Sequence, residues 1–326
     1  VNAPAIEYTY TIAPGSAGKT VKDAGGDLHA SEQPVIALTK AGLNGATISG
    51  SVDGTTFTRG KLTLTNAVQL TAADDGAANK FPLKIDFSGV TWTGAGVYRY
   101  VISETTTAAA KNAAGITDGG IAETLYLDVY VMDAGVDASG EAAYQIYGYV
   151  CLNADVDVDG TATTDPKNKT EGFVPGDPTN PNATADKYYT FNVTVSKTLS
   201  GDQANNGHQF PFNVDFTNDS VTSSILLKQE TVTGGGITAN LPDAAVVSSL
   251  DVADLKLANG ASVKYIGIPV GVSAATTVAV YELNDVTGTT YKSSYKIDDE
   301  DASTAKSIKW TAPDNKSEVA TLDTIT

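Results

Sequence analysis

Residues 89–104, GVTWTGAGVYRYVISE, constrain the fold of this chain more than any other stretch. Val97, Tyr98, Arg99, Tyr100, Val101 and Ile102 are β-branched or aromatic at almost every place, and Gly94 and Gly96 mark a turn before them. The pattern predicts a turn and then a strand. Period two puts Tyr98, Tyr100, Ile102 and Glu104 on one face. If that face looks into the core, the strand carries an acid inside, and a buried carboxylate needs a partner. A stretch of similar shape lies near the C-terminus: residues 269–282, PVGVSAATTVAVYE, with Val278, Val280 and Glu282 in step. Two strands from two halves each end in a glutamate.

The same alternation recurs along the chain, and Gly/Asp turns separate the strands. Strands are expected over residues 1–12, 35–38, 46–52, 57–70 and 81–90, then over 124–132 (TLYLDVYVM) and 143–151 (AYQIYGYVC). Residues 19–34 and 105–120 read as loops. In the second half, strands are expected within 187–217, at 223–230, 262–268, 279–283, 291–297 and 307–311, with a short helical turn over 250–257. Strands at this spacing with little helical periodicity indicate an all-β chain. At 326 residues it is long for one sandwich and comfortable for two. Residues 173–186, FVPGDPTNPNATAD, hold Pro175, Pro178 and Pro181 among Asn, Thr and Asp, which fits a stiff connector. The reading is two tandem immunoglobulin-like β-sandwich domains, 1–172 and 187–326, joined by 173–186.

Charge and residue usage exclude several function classes. A net charge of −17 argues against a nucleic-acid partner. One cysteine, Cys151, excludes an internal disulfide framework, and two histidines leave little for a zinc site. Cys151 lies in an apolar strand and reads as a packed thiol rather than a thioester nucleophile. No membrane span and no signal segment are evident, so targeting segments are absent or already removed. The acidic runs 154–160 and 298–301 invite a calcium reading, but the first has no bidentate Glu at EF-hand distance, and solvated loops are favoured. With no Ser/His/Asp set, metal cluster or phosphate loop, neither an enzyme nor a cofactor is expected.

Lys197, in VTVSKTLSG, falls on the face of Val193 and Val195 and so points inward. Burial lowers the pKa of a lysine and raises that of a glutamate. Beside an Asn side chain, such an acid can polarise the amide and move protons while the amine attacks and ammonia leaves. The product is a Lys–Asn amide bond that ties strands together without cysteine.

The runs FPLKIDFSGVTWTGAGVYRYVISE, ETLYLDVYVMD, YQIYGYV, NVTVSKTLSG and SVKYIGIPVGVSAATTVAVYE together resemble the two-domain backbone pilins of Gram-positive bacteria, which sortases join end to end. The resemblance covers most of both halves with its motifs in order. It implies an isopeptide bond with a Glu proton shuttle in each domain. Glu104 then matches the first acid and Asn168 its amide partner, while Lys197 and Glu282 match the second lysine and acid. The first lysine is expected in a strand ahead of EYTYTI, and the second Asn on the last strand. The chain holds neither, so either the shaft fragment is trimmed at both ends or other partners serve. Asp323 is the in-chain alternative for Lys197, by loss of water. Asn315, in a turn, is a poorer one, and Lys19 and Lys22, in a loop, are poor stand-ins for the first lysine. DPKN at 165–168 resembles the pilin motif whose lysine accepts the next subunit, which makes Lys167 the intersubunit nucleophile and Lys169 its neighbour. No LPxTG-type sorting motif is present. The resemblance also implies a cell-wall-anchored extracellular location and identical subunits as partners. The rival reading is an adhesin binding host protein or glycan, for which Trp92 and Trp310 are the candidate platforms. The plain alternatives are solvent-facing glutamates at strand ends, surface lysines, and Asn168 as a turn residue after Pro166.

Overall fold

The computed structural model describes residues 1–22, 36–52, 57–70, 79–119, 123–157, 168–173, 185–201, 207–222, 224–225, 227–233, 245–246, 249–274, 276–282, 295–297, 300–302, 306–310 and 317–321. Over these residues the chain is all-β, with β-sheets packed around separate cores in its two halves and one short helix. In the first, β1 (Ile6–Pro14) serves both sheets. Its first half, Ile6–Thr9, pairs with β3 (Lys61–Leu64), and Thr58–Arg59 links that strand to β2 (Thr47–Gly50) and β4 (Leu83–Asp86). Its second half, Tyr10–Pro14, pairs antiparallel with β5 (Gly96–Glu104). Beyond β5 lie β7 (Thr124–Val136) and β8 (Ala142–Leu152), which form a long hairpin. Between β5 and β7 come helix α1 (Ala108–Ala113) and the two-residue β6 (Ile116–Thr117).

In the second half, β9 (Lys187–Tyr188) pairs back onto β6. One sheet holds β10 (Thr190–Ser196), β14 (Ser262–Pro269) and β12 (Lys228–Thr233). The facing sheet runs β13 (Ser249–Leu257), β11 (Phe210–Thr217), β15 (Thr276–Glu282), β16 (Lys306–Trp310) and β17 (Ser317–Thr321). Alternate residues of β11 (Phe210, Phe212, Val214 and Phe216) are buried against Val263, Tyr265 and Ile268 of β14. The first core is separate and gathers Tyr98, Tyr100 and Ile102 with Leu125, Leu127 and Val129.

Three local expectations are corrected. Residues 250–257 form strand β13, not a helical turn. Leu250 and Val252 alternate inward, and a bulge opposite Phe212 and Val214 shifts the register so that Leu255 and Leu257 are buried as well. The stretch 105–120 is not all loop. Its Ala-rich run forms α1, where the Thr107 hydroxyl accepts the Ala110 N–H at 3.2 Å as an N-cap. Thr20–Lys22 is a strand paired with Ile36–Leu38, not loop. The proline-rich run 173–186 lies outside the described residues except for Phe173, Ala185 and Asp186. Phe173 packs on Tyr10, 5.4 Å between ring centres.

Both faces of β5 are covered. On the face opposite Tyr98 and Tyr100, Arg99 is fully enclosed and forms a two-point pair with Asp128 of β7, both contacts at 2.7 Å. Register dictates the meeting, since Asp128 sits directly across from Arg99. A third contact reaches Asp155 at 2.8 Å, which binds the loop after β8 to the sheet. Arg99→Met leaves the Asp128 carboxylate buried without its cation and is expected to cost about 3–5 kcal/mol. The double variant Arg99→Met/Asp128→Leu should recover part of that loss. Urea denaturation of the two variants checks both.

Candidate functional site

In the second sandwich the geometry is set by two strand ends. Lys197 follows β10, and its backbone is held by Ala261 and Gly260 through hydrogen bonds of 3.0 and 2.8 Å. Val195, two residues earlier, is buried, so the lysine side chain leaves on the core side. Glu282 closes β15, directly opposite Phe212. The Lys197 ammonium donates to Glu282 Oε1 at 2.6 Å and lies 4.1 Å from the centre of the buried Phe210 ring. The two side chains are 13% and 23% exposed, so the pair is mostly screened from water. Burial falls off towards this end of β15. Val278 is buried, whereas Val280, expected in step with it, is 36% exposed.

In the first sandwich Glu104 closes β5, directly opposite Tyr10. Its side chain shares a face with buried Tyr98, Tyr100 and Ile102 and meets a lysine that the sequence reading missed. Lys111, on α1, is 3% exposed and reaches Glu104 Oε1 at 3.1 Å. Two more carboxylates surround it: Asp186 Oδ2 at 3.2 Å and Asp118 Oδ1 at 3.6 Å. Glu104, Lys111 and Asp186 face a cavity of about 1290 Å³ that Tyr8, Tyr10 and Tyr188 also line. Burial pushes Glu104 above the usual carboxylate range. The Lys111 cation opposes that shift, and the Asp186 charge adds to it. Burial also weighs against the charge on Lys111, but Glu104 and Asp186 outweigh it and hold Lys111 above its ordinary value. The signal that could have found Lys111 is modest. It is the one lysine between Lys84 and Lys167, in an Ala-rich run seven residues after Glu104.

The remaining candidates are dispersed. Asn168 lies beside the end of β8, where its carbonyl accepts the Asn153 N–H at 2.9 Å. Sheet order therefore interposes β7 between Asn168 and Glu104. Lys169 bridges to Leu152 and is exposed. Lys19 pairs with Asp155 at 3.4 Å, and Lys22 lies in a short strand. Lys167, Asn315 and Asp323 lie outside the described residues. Burial pushes the Cys151 thiol up to about 11. Trp92 packs on Phe87 and Tyr98 at 5.9 and 5.0 Å between ring centres. In the run 154–160, Asp155 binds Arg99 and Lys19, and Asp157 accepts the Thr20 N–H at 2.7 Å. Among the described residues no group of three or more His, Cys, Asp and Glu is placed to hold a metal ion. No described helix is long and apolar enough to cross a membrane.

Among solved structures, the chain is similar to the major pilin from Streptococcus pyogenes. The parent structure is 18% identical over 86% of this chain and 77% of the pilin, with a TM-score of 0.37. Two mutants of that pilin match over 86% of this chain. One is 19% identical with a TM-score of 0.35, and the other 18% identical with a TM-score of 0.36. The matches span 76% and 77% of those two chains. No family model and no curated protein matches the sequence.

The raised affinity of Glu104 for its proton has a definite sign. The folded chain holds that proton over a window in which the unfolded chain, titrating near about 4.3, has lost it. The associated stability is complete below the unfolded value and declines as pH rises through the folded one. Glu104→Gln removes this dependence. The stability of the wild type relative to Glu104→Gln should therefore fall as pH rises from about 4.3, as measured by urea denaturation across that range.

Proposed function

We propose that the chain is a structural shaft subunit of a covalently polymerised pilus on a Gram-positive surface. Its work is mechanical: to carry tension and resist proteolysis through amide bonds between its own side chains. The observation that carries this reading is the Lys197–Glu282 contact at 2.6 Å beside Phe210. It joins residues 85 positions apart at a contact mostly screened from water and brings together an amine and an acid, two of the three groups that amide formation needs. The acyl partner of Lys197 is a third side chain, an Asn or Asp323. Glu282 acts once, as a proton shuttle during maturation, and Glu104 has the same role in the first sandwich. Neighbouring copies are joined by a sortase through Lys167.

The test is the intact mass of the mature protein. A Lys197–Asn bond makes it one ammonia lighter than its sequence, and a Lys197–Asp323 bond one water lighter. Glu282→Ala should restore the missing mass from the second sandwich. A mass equal to that of the unmodified sequence rejects the cross-links. Replacing Lys167 in cells that express the cognate sortase should abolish the high-mass ladder of polymers, and an unchanged ladder moves the linkage elsewhere.

A further inference from the structure

Lys111 is not consumed by the reading above, yet it is the most enclosed amine near either glutamate. Its environment is asymmetric. Asp186 presents both carboxylate oxygens to the ammonium, Oδ2 at 3.2 Å and Oδ1 at 3.5 Å, so the carboxyl carbon lies in front of the nitrogen. Each of those oxygens also accepts a second donor: the Tyr8 hydroxyl on Oδ2 at 3.1 Å and the Gly119 N–H on Oδ1 at 3.1 Å. Donors on both oxygens are what an addition at that carbon requires, because negative charge builds on them as the carbonyl is attacked. Asp118 offers one oxygen at 3.6 Å and is 38% exposed, against 20% for Asp186. Glu104 approaches the same nitrogen from the end of β5, and its burial strengthens its hold on a proton, which suits it to accept and return one.

We propose that Lys111 and Asp186 form an isopeptide bond across the junction between the two sandwiches, with Glu104 moving the proton. This rests on the reading of Glu104 as a proton shuttle but assigns it a different pair of residues. The step balances without any added reagent. The lysine gives a proton to Glu104, and its free amine attacks Asp186 Cγ. Tyr8 and the Gly119 N–H stabilise the oxygens of the adduct. Glu104 delivers that proton to one oxygen of the adduct and then carries a second proton from the adduct nitrogen to the same oxygen, the Cγ–O bond breaks, and one water leaves as the remaining oxygen reforms the carbonyl of the amide. The bond spans two elements that meet at the junction, where the Thr222 N–H also donates to the Ala113 carbonyl and Tyr188 packs with Ala114 and Ile116. Asp186 immediately precedes β9, which touches the first half through the two-residue pairing Ile116↔Tyr188 and Thr117↔Lys187. Lys111 is one helix away from β5, the central strand of the first sandwich. A link between them gives tension a covalent route from β9 to α1 that bypasses 174–184.

Peptide mapping of the mature full-length protein by tandem mass spectrometry tests this. A branched peptide joining Lys111 to Asp186, one water lighter than the sum of its parts, is expected. Lys111→Arg keeps the cation and removes the nucleophile, and Asp186→Ala removes the acyl group; each should abolish that peptide while circular dichroism shows the fold retained. Asp186→Asn should give a branched product of the same mass as the wild type, by loss of ammonia. Glu104→Gln should slow its formation roughly a hundredfold or more. Unlinked Lys111 and Asp186 peptides in the wild type overturn the inference. If Lys197 is linked in the same sample, the reading of the second sandwich survives that result. A Lys111–Asp186 branch without one at Lys197 supports this inference and counts against that reading.

Discussion

A guanidinium enclosed on every side is stable only against carboxylates that it can hold at both ends of its fork. Arg99 is such a group, and much of the first sandwich follows from it. Its position at the centre of β5 requires Asp128 at the matching register of β7, and that register aligns the long hairpin of β7 and β8. Its third contact fixes Asp155, which in turn accepts an ion pair from Lys19, so the loop after β8 is tied to the chain after β1. With that face of β5 committed to the ion pair, Tyr98, Tyr100 and Ile102 are left to build the core on the other. Glu104 ends that same row, where the sheet gives out and a charged partner can reach it.

The two halves repeat this last device in different settings. In each, a strand closes on a glutamate that lies opposite an aromatic residue of its antiparallel neighbour: Tyr10 across from Glu104, and Phe212 across from Glu282. What differs is how the lysine arrives. Lys197 comes from the end of a strand and rests on the Phe210 ring, whereas Lys111 comes from a helix and sits among three carboxylates. The second arrangement places more negative charge around one cation. Lys111 is correspondingly better enclosed than Lys197.

Much of the fold was legible because period two is a strong signal where both neighbours are apolar. The strands around Tyr98, Leu127 and Phe212 read directly from their side chains, and so did the inward direction of Glu104 and Lys197. The failures have specific causes. Leu250–Leu257 gave a mixed period because a bulge shifts its register midway. Lys111 and Asp186 were invisible because each sits just outside a strand, on a six-residue helix and at the end of a proline-rich run, where no periodicity assigns a direction. The Arg99–Asp128 pair left a trace, one charge in the middle of each of two apolar strands, but only the register between them turns that trace into a contact.

Cys151, in β8, lines the same cavity as Glu104 and Lys111. Burial pushes its thiol up to about 11, which disfavours the thiolate, the species that oxidants attack. The chain therefore responds little to the redox poise of its surroundings. With a single cysteine the chain has no internal disulfide, so the ladders, cores and ion pairs that hold its strands do not change between a reducing and an oxidising medium.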